Sequence, residues 1–294
     1  MRPTTPLLHL SAPGATRTHS EFTLDLLLDL KGTTTVSVCI PARDEARTIA
    51  SVVEPIARTL VPAGLVDELL VLDHGSTDAT AAVARRSGAT VVPANDVLAD
   101  FGPALGKGDV LWRSLHASTG DLIVWLDSDL TSFGTHYVTG LLGPLLTDPG
   151  ISLVRATYDR SLHGTAGEGG RVTELLARPL IATLFPDLEH IRQPLGGEYA
   201  VRREAAERVA FEVDYGVEMG LLLDIASSSG VSAIAQVDLG HRAHRNRSLS
   251  SLREQSRQVL RAALLRTPMG ESIRGNYDSR PPLVEVAQRR PVAG

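Results

Sequence analysis

The chain is poor in several features that mark particular classes of protein. It has one cysteine, Cys39, which excludes an internal disulfide framework and fits a reducing compartment. That cysteine lies inside an apolar run, so we expect it to be buried rather than catalytic. No apolar run is long enough to span a bilayer, and residues 1–20 lack the basic and then apolar layout of a signal peptide. We therefore predict a cytoplasmic protein with no membrane partner.

The chain also lacks the basic excess of a nucleic-acid-binding protein. Its formal net charge is -5 over 294 residues, so we expect no nucleic-acid partner. It has no internal repeat. Hydrophobic residues make up 43% of the sequence, which is enough for a large core. This balance predicts one large domain, or one domain with a smaller lobe.

Strand and helix patterns alternate over the first half of the chain. Apolar runs predict strands at residues 36–40, 68–72, 89–92 and 122–126. Helical spacing predicts helices at residues 45–60, 77–87 and 107–118, with a kink at Pro55. This alternation predicts an α/β fold in which a mostly parallel sheet is flanked by helices. Ligands bind such sheets at the carboxyl ends of the strands.

The regular alternation of strand and helix patterns changes after about residue 150. Strands are predicted at 151–158 and 233–239, and helices at 172–185, 216–227 and 252–265. We expect residues 1–33 to form a flexible N-terminal segment, with a short helix pattern at 21–30. Residues 271–294, rich in proline and arginine, read as a C-terminal tail.

The most informative motif is an acidic pair at the end of a predicted strand. Asp127 and Asp129 flank Ser128 directly after the apolar run 122–126. Carboxylates two residues apart point to the same face of a strand, and close carboxylates repel unless a cation lies between them. Mg²⁺ or Mn²⁺ fits because such hard ions share their coordination with phosphate oxygens. The motif therefore predicts a site for a nucleoside diphosphate or its sugar ester.

Two more predicted strands end in acidic residues. The residues at these two ends are Pro41, Ala42, Asp44, Glu45, Asp73 and His74. The carboxylates there can accept hydrogen bonds from a nucleobase or a ribose. Alternatively, they only cap the helices that follow. Three acidic strand ends in one sheet favour the ligand interpretation more than any one of them does alone.

Three predicted helix starts carry groups suited to anions or sugars. Lys107 lies between two glycines at a helix N-terminus, where nucleotide phosphates bind well. Arg171 and Thr173 follow Gly170 at another helix start, which either suits a second anion or is an ordinary helix beginning. Glu218 opens a third helix, where it caps the helix, contacts sugar hydroxyls or acts as a base.

A late segment, residues 241–247, concentrates histidine and arginine in an otherwise acidic chain. One imidazole could complete a metal shell begun by Asp129. The arginines suit a phosphate or a carboxylate. The alternative is a solvated basic turn, which the segment taken by itself favours.

Together these motifs resemble the nucleotide-sugar glycosyltransferases of the GT-A fold, over about residues 36–247. The element Asp127-Ser128-Asp129 is similar to the DXD metal motif of that fold. Residues 170–179 (GRVTELLARP), 193–199 (QPLGGEY), 215–218 (YGVE) and 244–247 (HRNR) resemble the actinobacterial glucosyl-3-phosphoglycerate synthases. The resemblance implies a Rossmann-like GT-A domain with a nucleotide-sugar-binding part at 34–150 and a C-terminal acceptor-binding part at 151–270.

The same resemblance implies a retaining, usually dimeric hexosyltransferase that moves glucose from UDP-glucose to 3-phosphoglycerate with Mg²⁺ or Mn²⁺. The implied nucleotide-sugar residues are Pro41, Ala42, Asp44, Glu45, Asp73, His74, Lys107, Asp127 and Ser128. The implied acceptor residues are Gly170, Arg171, Thr173, Asn246 and Arg247. The implied metal ligands are Asp129 and His244, and Asp129, Glu218 and the backbone carbonyl of Leu195 are assigned to the reaction itself.

Two residues depart from the pattern of that family in the nucleotide pocket. Asp44 stands where the family usually has Asn, and His74 where it usually has Ser. Asp accepts hydrogen bonds but cannot donate them as Asn does, and His is larger than Ser. The alternative is therefore the same fold acting on another donor, such as a GDP-sugar, and on a different small polar acceptor in specialised metabolism.

Two other classes are disfavoured by the residues. A sugar-phosphate nucleotidyltransferase normally has a basic, glycine-rich loop after its first strand, where this chain has residues 41–45 (PARDE). A catalytically dead nucleotide-binding protein would not need intact Asp127, Asp129 and His244.

Overall fold

One central sheet organises the protein. The structure, a computed structural model, describes residues 16–162, 165–166, 170–242, 249–273 and 278–286. The strands are, in chain order, β1 (Thr16–Thr18), β2 (Val36–Ala42), β3 (Glu68–Asp73), β4 (Thr90–Pro93), β5 (Leu122–Trp125), β6 (Leu153–Leu162), β7 (Thr165–Ala166), β8 (Tyr199–Arg202), β9 (Phe211–Glu212), β10 (Ile234–Arg242) and β11 (Ser279–Arg280).

The helices alternate with these strands along most of the chain. They are α1 (Leu24–Lys31), α2 (Ile49–Pro55), α3 (Thr80–Arg86), α4 (Lys107–Ala117), α5 (His136–Thr147), α6 (Arg178–Leu184), α7 (Arg203–Ala206), α8 (Val217–Ser229), α9 (Leu249–Leu264), α10 (Gly270–Ile273) and α11 (Leu283–Val286). The predicted kink at Pro55 is a change of helix type, since a π-helical turn, Ile56–Leu60, continues α2. The sequence patterns do not predict α5 or β8.

Within the described ranges, nine strands form the main sheet, in the order β1-β10-β6-β8-β5-β2-β3-β4 with β7 paired to β6. Neighbours along this order are parallel except where β8 lies between β5 and β6. The prediction of a mostly parallel α/β sheet is therefore confirmed. In such a sheet the carboxyl ends of the parallel strands share one edge, which is the usual place for a ligand.

The antiparallel strand β8 has a consequence for that edge. Its first residue, Tyr199, is the register partner of Trp125 in β5 and of Arg155 in β6. Because β8 runs in the opposite direction, the loop before it lies where β5 and β6 end. This loop, residues 193–198, is therefore brought beside the acidic residues that follow β5.

Helices cover both faces of the sheet and give it two apolar layers. On one face α1, α2, α3 and α5 bury side chains such as Leu27, Val53 and Leu141. On the other face α4, α8 and α9 pack around Trp112 and Trp125, both fully buried. Cys39 in β2 is buried as expected, and burial raises the pKa of its thiol to about 12. This confirms the expected packing role of the cysteine.

Residues 16–33 of the expected flexible N-terminal segment have regular structure instead. β1 pairs with β10, and the short predicted helix is α1. Thr23 caps this helix, since its hydroxyl accepts a hydrogen bond from the Leu26 N–H at 3.3 Å. Phe22 and Leu27 are buried in the core, so apolar anchoring outweighs the polar composition on which the prediction depended.

The expected C-terminal tail is also partly docked. β11 pairs with β9, and Leu283 and Val286 of α11 are buried. The indole N–H of Trp112 donates to the Pro281 carbonyl at 2.9 Å, which satisfies the polar atom of a fully buried side chain. None of the helices in the described ranges is long and apolar enough to cross a membrane.

Candidate active site

The acidic strand ends predicted from the sequence do meet at one edge of the sheet. β2 lies between β3 and β5 and is parallel to both. Ala42, at the end of β2, is the register partner of Asp73, at the end of β3. Asp127 follows β5 on the other side of β2. The ends of three neighbouring strands thus form one acidic edge.

Asp44 ties the loops after β2 and β3 together. Its backbone has a φ of 55°, a left-handed conformation that Asp tolerates better than most residues. Its Oδ1 accepts hydrogen bonds from the Thr77 N–H at 2.7 Å, the Thr77 hydroxyl at 3.1 Å and the Asp78 N–H at 3.3 Å. The Thr77 N–H above all holds the pKa of the Asp44 carboxyl below its usual value. A single carboxylate oxygen accepts all three hydrogen bonds, and the amide oxygen of Asn can accept hydrogen bonds in the same way.

Glu45 and His74 also make contacts within the protein at this edge. The carboxylate of Glu45 accepts from the hydroxyl of Thr48 at 2.8 Å, immediately before α2, and this contact between two side chains does not cap a helix N–H. His74 Nε2 lies 3.0 Å from the Ala104 carbonyl. A carbonyl can only accept, so the imidazole proton is assigned to Nε2. His74 thereby joins the end of β3 to the loop that leads into α4.

The centre of the edge is an ion triad, defined here as Lys107, Asp127 and Glu218. The Lys107 ammonium donates to Asp127 Oδ1 at 2.8 Å and lies 2.6 Å from Glu218 Oε1. The Glu218 side chain is 4% exposed and that of Lys107 17%. Residues from α4, β5 and α8 are therefore joined by one cation between two carboxylates.

The charges of the ion triad stabilise one another. Burial disfavours the charged ammonium of Lys107, but the charges of Asp127 and then Glu218 outweigh burial and raise its pKa well above the usual value. The lysine consequently stays protonated over the whole range in which enzymes work. Its charge lies between the two carboxylates and offsets their mutual repulsion.

The two glycines beside Lys107 allow α4 to pack closely against another segment. A Cβ at Gly108 would lie 1.8 Å from the Glu212 carbonyl oxygen, and one at Gly106 2.7 Å from the Val213 carbonyl oxygen. The start of α4 thus packs directly on the backbone that leads into α8. This close packing, rather than approach to a ligand, brings Lys107 to Glu218.

The loop before β8 lies against the ion triad. A Cβ at Gly197 would come within 2.3 Å of both carboxylate oxygens of Asp127, so only glycine fits beside that carboxylate as it now stands. Leu195, the residue assigned a backbone role, is half-buried in the same loop. The antiparallel direction of β8 thus unites the predicted motifs 127–129 and 193–199.

The candidate metal position follows β5. Ser128 is 8% exposed and Asp129 is half-buried. The carboxylate oxygens of Asp129 are hard donors that fit Mg²⁺ or Mn²⁺. The other expected ligand, His244, lies outside the described residues, and so do Asn246 and Arg247. Within the described part of the chain, no three or more His, Cys, Asp or Glu side chains are arranged as a metal site.

The helical segment that is expected to bind the acceptor begins within one residue of its predicted start. Gly170 has a φ of 77° and leads directly into the helical residues that start at Arg171. Arg171 is half-buried, whereas Thr173 is 2% exposed and lies in a π-helical turn, Thr173–Ala177, ahead of α6. β10, which leads toward residues 244–247, is parallel to β6 and therefore ends at the same edge as the other strands.

Comparison with known proteins agrees with this arrangement. The family model of glycosyl transferase family 2 matches residues 37–208. Glucosyl-3-phosphoglycerate synthase of Mycolicibacterium smegmatis is 52% identical over 81% of this chain and 79% of its own length. The chain belongs to glycosyl transferase family 2, among the glucosyl-3-phosphoglycerate synthases. The expected enzyme class, a nucleotide-sugar glycosyltransferase, is thereby confirmed.

Two solved structures extend the comparison of this family 2 glycosyltransferase. The Mycobacterium tuberculosis glucosyl-3-phosphoglycerate synthase in complex with Mn²⁺, UDP-glucose and phosphoglyceric acid has a TM-score of 0.81 at 44% identity, covering 90% of this chain and 95% of its own. The mannosyl-3-phosphoglycerate synthase of Rubrobacter xylanophilus has a TM-score of 0.86 at 33% identity, covering 92% and 97%. The predicted GT-A fold is therefore confirmed.

Three buried polar residues near the ion triad have no predicted role. Arg155 and Tyr199 are 0% exposed neighbours in β6 and β8, and Glu198 beside them is also fully buried. One signal in the sequence could have pointed to Arg155, because it interrupts the apolar run of the strand 151–158 with a permanent charge. A buried charge in a strand needs a reason.

Proposed function

We propose that this glycosyltransferase transfers glucose from UDP-glucose to 3-phosphoglycerate, with retention at the anomeric carbon and with Mg²⁺ or Mn²⁺. The observation that carries the proposal is the ion triad at the carboxyl edge of the sheet, in a chain that is 52% identical to a glucosyl-3-phosphoglycerate synthase over 81% of its length. The similar M. tuberculosis enzyme holds Mn²⁺, UDP-glucose and phosphoglyceric acid together in one crystal structure. That set of ligands contains a donor, an acceptor and a metal.

The donor side is assigned to the first three strand ends. Pro41, Ala42, Asp44 and Glu45 after β2, with Asp73 and His74 after β3, line the nucleoside site. Asp44 and His74 act there mainly by fixing loops, as their contacts with Thr77 and Ala104 support. Lys107, Asp127 and Ser128 face the ribose, the diphosphate or the sugar.

The reacting sugar is assigned to the ion triad and the loop before β8. Glu218, held by Lys107 at 2.6 Å, orients the glucose hydroxyls. The backbone carbonyl of Leu195 faces the anomeric carbon. None of the described residues offers a clearly placed nucleophile, so the rate enhancement is assigned to positioning and electrostatics.

The acceptor side is assigned to Gly170, Arg171 and Thr173, together with Asn246 and Arg247. These groups bind the phosphate and carboxylate of 3-phosphoglycerate. The acceptor hydroxyl lies on the same face of the sugar as the departing diphosphate. Its oxygen bonds to the anomeric carbon as the bond to the diphosphate breaks, and its proton passes to an oxygen of the departing phosphate. Configuration is thereby retained.

Asp129 and His244 are the proposed metal ligands, a carboxylate and an imidazole that both suit Mg²⁺ or Mn²⁺. The bound ion would supply neutralisation of the charge that grows on the departing diphosphate.

A second candidate donor is a mannose nucleotide such as GDP-mannose. It is favoured by the TM-score of 0.86 with a mannosyl-3-phosphoglycerate synthase and by the presence of Asp44 in the nucleoside site. The contacts of Asp44 weaken its support for this second donor, because its Oδ1 already accepts from three donors of the protein. Asp44 therefore has a role that does not depend on contact with a base.

The test is a steady-state assay of the purified protein with 3-phosphoglycerate, Mg²⁺ and either UDP-glucose or GDP-mannose. We expect kcat/KM to favour UDP-glucose at least tenfold, and proton NMR of the product to show an α-linked glucose. Turnover should stop when EDTA removes the metal and return when Mg²⁺ is added. Preference for GDP-mannose would select the second candidate, and the absence of product from both donors would overturn the proposal.

We further infer that the enzyme is a cytoplasmic homodimer. The buried free thiol of Cys39 fits a reducing compartment, and the family resemblance favours a dimer. Light scattering coupled to size-exclusion chromatography gives the mass in solution, and a monomer at micromolar concentration would contradict the dimer. Fractionation of the source cells checks the compartment.

A further inference from the structure

The least expected group near the active site is the guanidinium of Arg155. It is 0% exposed. Its Nη2 donates to the Pro194 carbonyl at 2.6 Å and to the Gly196 carbonyl at 3.0 Å, with the Gln193 carbonyl at 3.5 Å. The guanidinium carbon also lies 4.6 Å from the centre of the Tyr199 ring. The buried guanidinium thus hydrogen-bonds to the backbone carbonyls of a single loop.

Such an arrangement is costly unless the loop needs it. Removing a charge from water costs several kcal/mol even after relaxation, and an apolar side chain of similar volume is often as stabilising. Nε and Nη1 of Arg155 are buried without a hydrogen-bond partner among the described residues, which adds to the cost. Burial lowers the pKa of this guanidinium, although an arginine remains charged at any working pH. Stability alone does not account for an arginine here.

The loop that Arg155 holds touches the ion triad. Gly197 follows Gly196, whose carbonyl accepts from Arg155. A Cβ at Gly197 would lie 2.3 Å from the carboxylate oxygens of Asp127, so there is no room for one. On the far side, the Tyr158 hydroxyl donates to Glu198 at 2.9 Å. The loop is therefore held by Arg155 from one face of the sheet and by Tyr158 from the other. A shift of the loop toward β5 moves Asp127.

A second connection runs through Tyr199. Its ring lies under the Arg155 guanidinium, and its hydroxyl is buried with no hydrogen-bond partner among the described residues. Burial, and after it the charge of the Glu218 carboxylate, raises the pKa of this hydroxyl. The hydroxyl is thus a protonated group in the field of the ion triad. Arg155 consequently contacts both the loop and the ring of Tyr199, whose hydroxyl is subject to the charge of Glu218.

We propose that Arg155 is a positioning residue of the transfer reaction, which fixes residues 193–197 so that the Leu195 carbonyl and the Asp127 carboxylate keep their places around the reacting sugar. The inference rests on the proposed function, because it concerns the sugar end of that site. Because most of the groups assigned to the nucleoside lie at β2 and β3, we expect Arg155 to act mainly on kcat and only slightly on nucleotide affinity. A misplacement of about 1 Å at reacting atoms lowers a rate by about 10²-fold.

The matched control is Arg202, at the other end of β8. It also uses a guanidinium to hold backbone carbonyls, those of Leu145 at 2.6 Å, Ile151 at 2.8 Å and Asp148 at 3.1 Å. These carbonyls lie away from the carboxyl edge. Arg155→Met and Arg202→Met therefore remove the same kind of structural contact, and only the first removes it from the active-site loop.

The experiment measures kcat, KM for both substrates, the dissociation constant of UDP with Mg²⁺ and Tm for the wild type and both variants. We expect Arg155→Met to lower kcat by about 30- to 100-fold while the UDP dissociation constant stays within threefold. Arg202→Met should lower Tm to a similar extent and leave kcat within twofold. Equal losses of kcat in the two variants would reduce Arg155 to a structural role and overturn the inference.

Arg155→Lys serves if Arg155→Met does not fold, because lysine keeps the charge but lacks the forked, longer reach of arginine. A kcat within threefold of the wild type in whichever variant folds would overturn the inference. A wild-type protein without turnover on either donor would overturn the proposed function, and this inference with it. An active wild type with an equally active variant would overturn the inference alone.

Discussion

Two parts of the same sheet edge use carboxylates in opposite ways. After β2, the carboxylate of Asp44 accepts from Thr77 in the loop after β3, and that of Glu45 accepts from the nearby Thr48 hydroxyl. After β5, Asp127 shares a single ammonium with the almost fully buried Glu218 of α8. The first part is held by hydrogen bonds that exposed or half-buried carboxylates accept from neutral donors, and the second by opposite charges that are largely withdrawn from water.

The difference decides what each part tolerates. A hydrogen bond between neutral or exposed groups contributes about 0.5–1.5 kcal/mol, and water can replace it. Removing one partner from a buried ion pair costs about 3–5 kcal/mol, because an uncompensated charge remains. The β2–β3 edge should therefore accept substitution and adapt to its nucleoside. Substitutions in the ion triad should be poorly tolerated.

The largest effect is expected from Lys107→Met. The substitution leaves Asp127 and Glu218 facing each other without a cation, so we expect kcat to fall by about 10²- to 10³-fold and the free energy of unfolding to fall by about 3 kcal/mol. The other lysine of the chain, Lys31, offers the control, since it pairs with Asp67 at 3.0 Å far from the edge. Steady-state kinetics and urea unfolding of both variants check this, and an equal kcat in both would remove the ion triad from the mechanism.

Gly197→Ala should have the next largest effect. The added Cβ would lie 2.3 Å from the Asp127 oxygens, so the carboxylate or the loop must move, and we expect kcat to fall by about 10²-fold. Gly150→Ala is the control, because its Cβ would meet only the Asp148 side chain at 3.1 Å. A crystal structure of Gly197→Ala with Asp127 in its original place and normal activity would contradict the close fit.

Arg280→Ala tests how α4 is held in place. Arg280 contacts this helix at Asp109, two residues after Lys107. Arg280 donates to both oxygens of Asp109, at 2.9 and 2.6 Å. Burial alone would raise the pKa of Asp109, but Arg280, the Leu105 N–H and Arg113 together hold it below its usual value. A carboxyl with a depressed pKa stabilises the fold above its unfolded pKa of about 3.9, and this contribution is lost as the pH falls through the folded-state pKa.

We therefore expect Arg280→Ala to lose about 2–3 kcal/mol of unfolding free energy at pH 7, and the difference from the wild type to narrow below about pH 4. Urea unfolding at pH 7 and pH 3 measures both values. Arg257→Ala removes a surface pair with Glu254 and should leave the stability unchanged at either pH. A constant difference for Arg280→Ala at both pH values would show that Asp109 titration plays no part.

The smallest effect is expected from Asp44→Asn. The Asn amide oxygen can accept from Thr77 and Asp78 as the carboxylate does, so the affinity for UDP should stay within threefold of the wild type. Calorimetry with UDP and GDP in the presence of Mg²⁺ measures this. A loss of more than 30-fold, or a switch between the two nucleotides, would show that Asp44 reads the base and would end the contrast between the two parts of the edge.

The sequence predicted the strand ends well because a buried parallel strand followed by carboxylates is a local pattern. The bounds of β2, β3 and α4 agree with the predicted ones to within two residues. Local patterns also placed Asp127, Lys107 and Glu218 at element ends. They could not show that the three meet, because the approach of α4 to α8 depends on the backbone contact of Gly108 with Glu212. That contact joins residues more than 100 positions apart.

The predictions failed where distant packing outweighs local composition. The described parts of the N-terminal and C-terminal segments, residues 16–33 and 278–286, are held on the core by Phe22, Leu27, Leu283 and the Trp112 contact with Pro281. β8 is only four residues long, too short for its periodicity to be distinctive. Its antiparallel direction, on which the position of Leu195 and Gly197 depends, has no local signal at all.

The sequence by itself determined the α/β class, the acidic strand ends and the residue types needed for a metal-dependent nucleotide-sugar site, because each depends on hydrophobic periodicity or on side-chain chemistry. Only the tertiary structure decided that Asp127 and Glu218 pair with the same lysine, that Asp44 joins two loops, and that Arg155 holds the loop beside Asp127. Those facts follow from distances between segments remote in sequence. Such distances are set by how two apolar faces pack on one sheet, and no short stretch of residues contains that information.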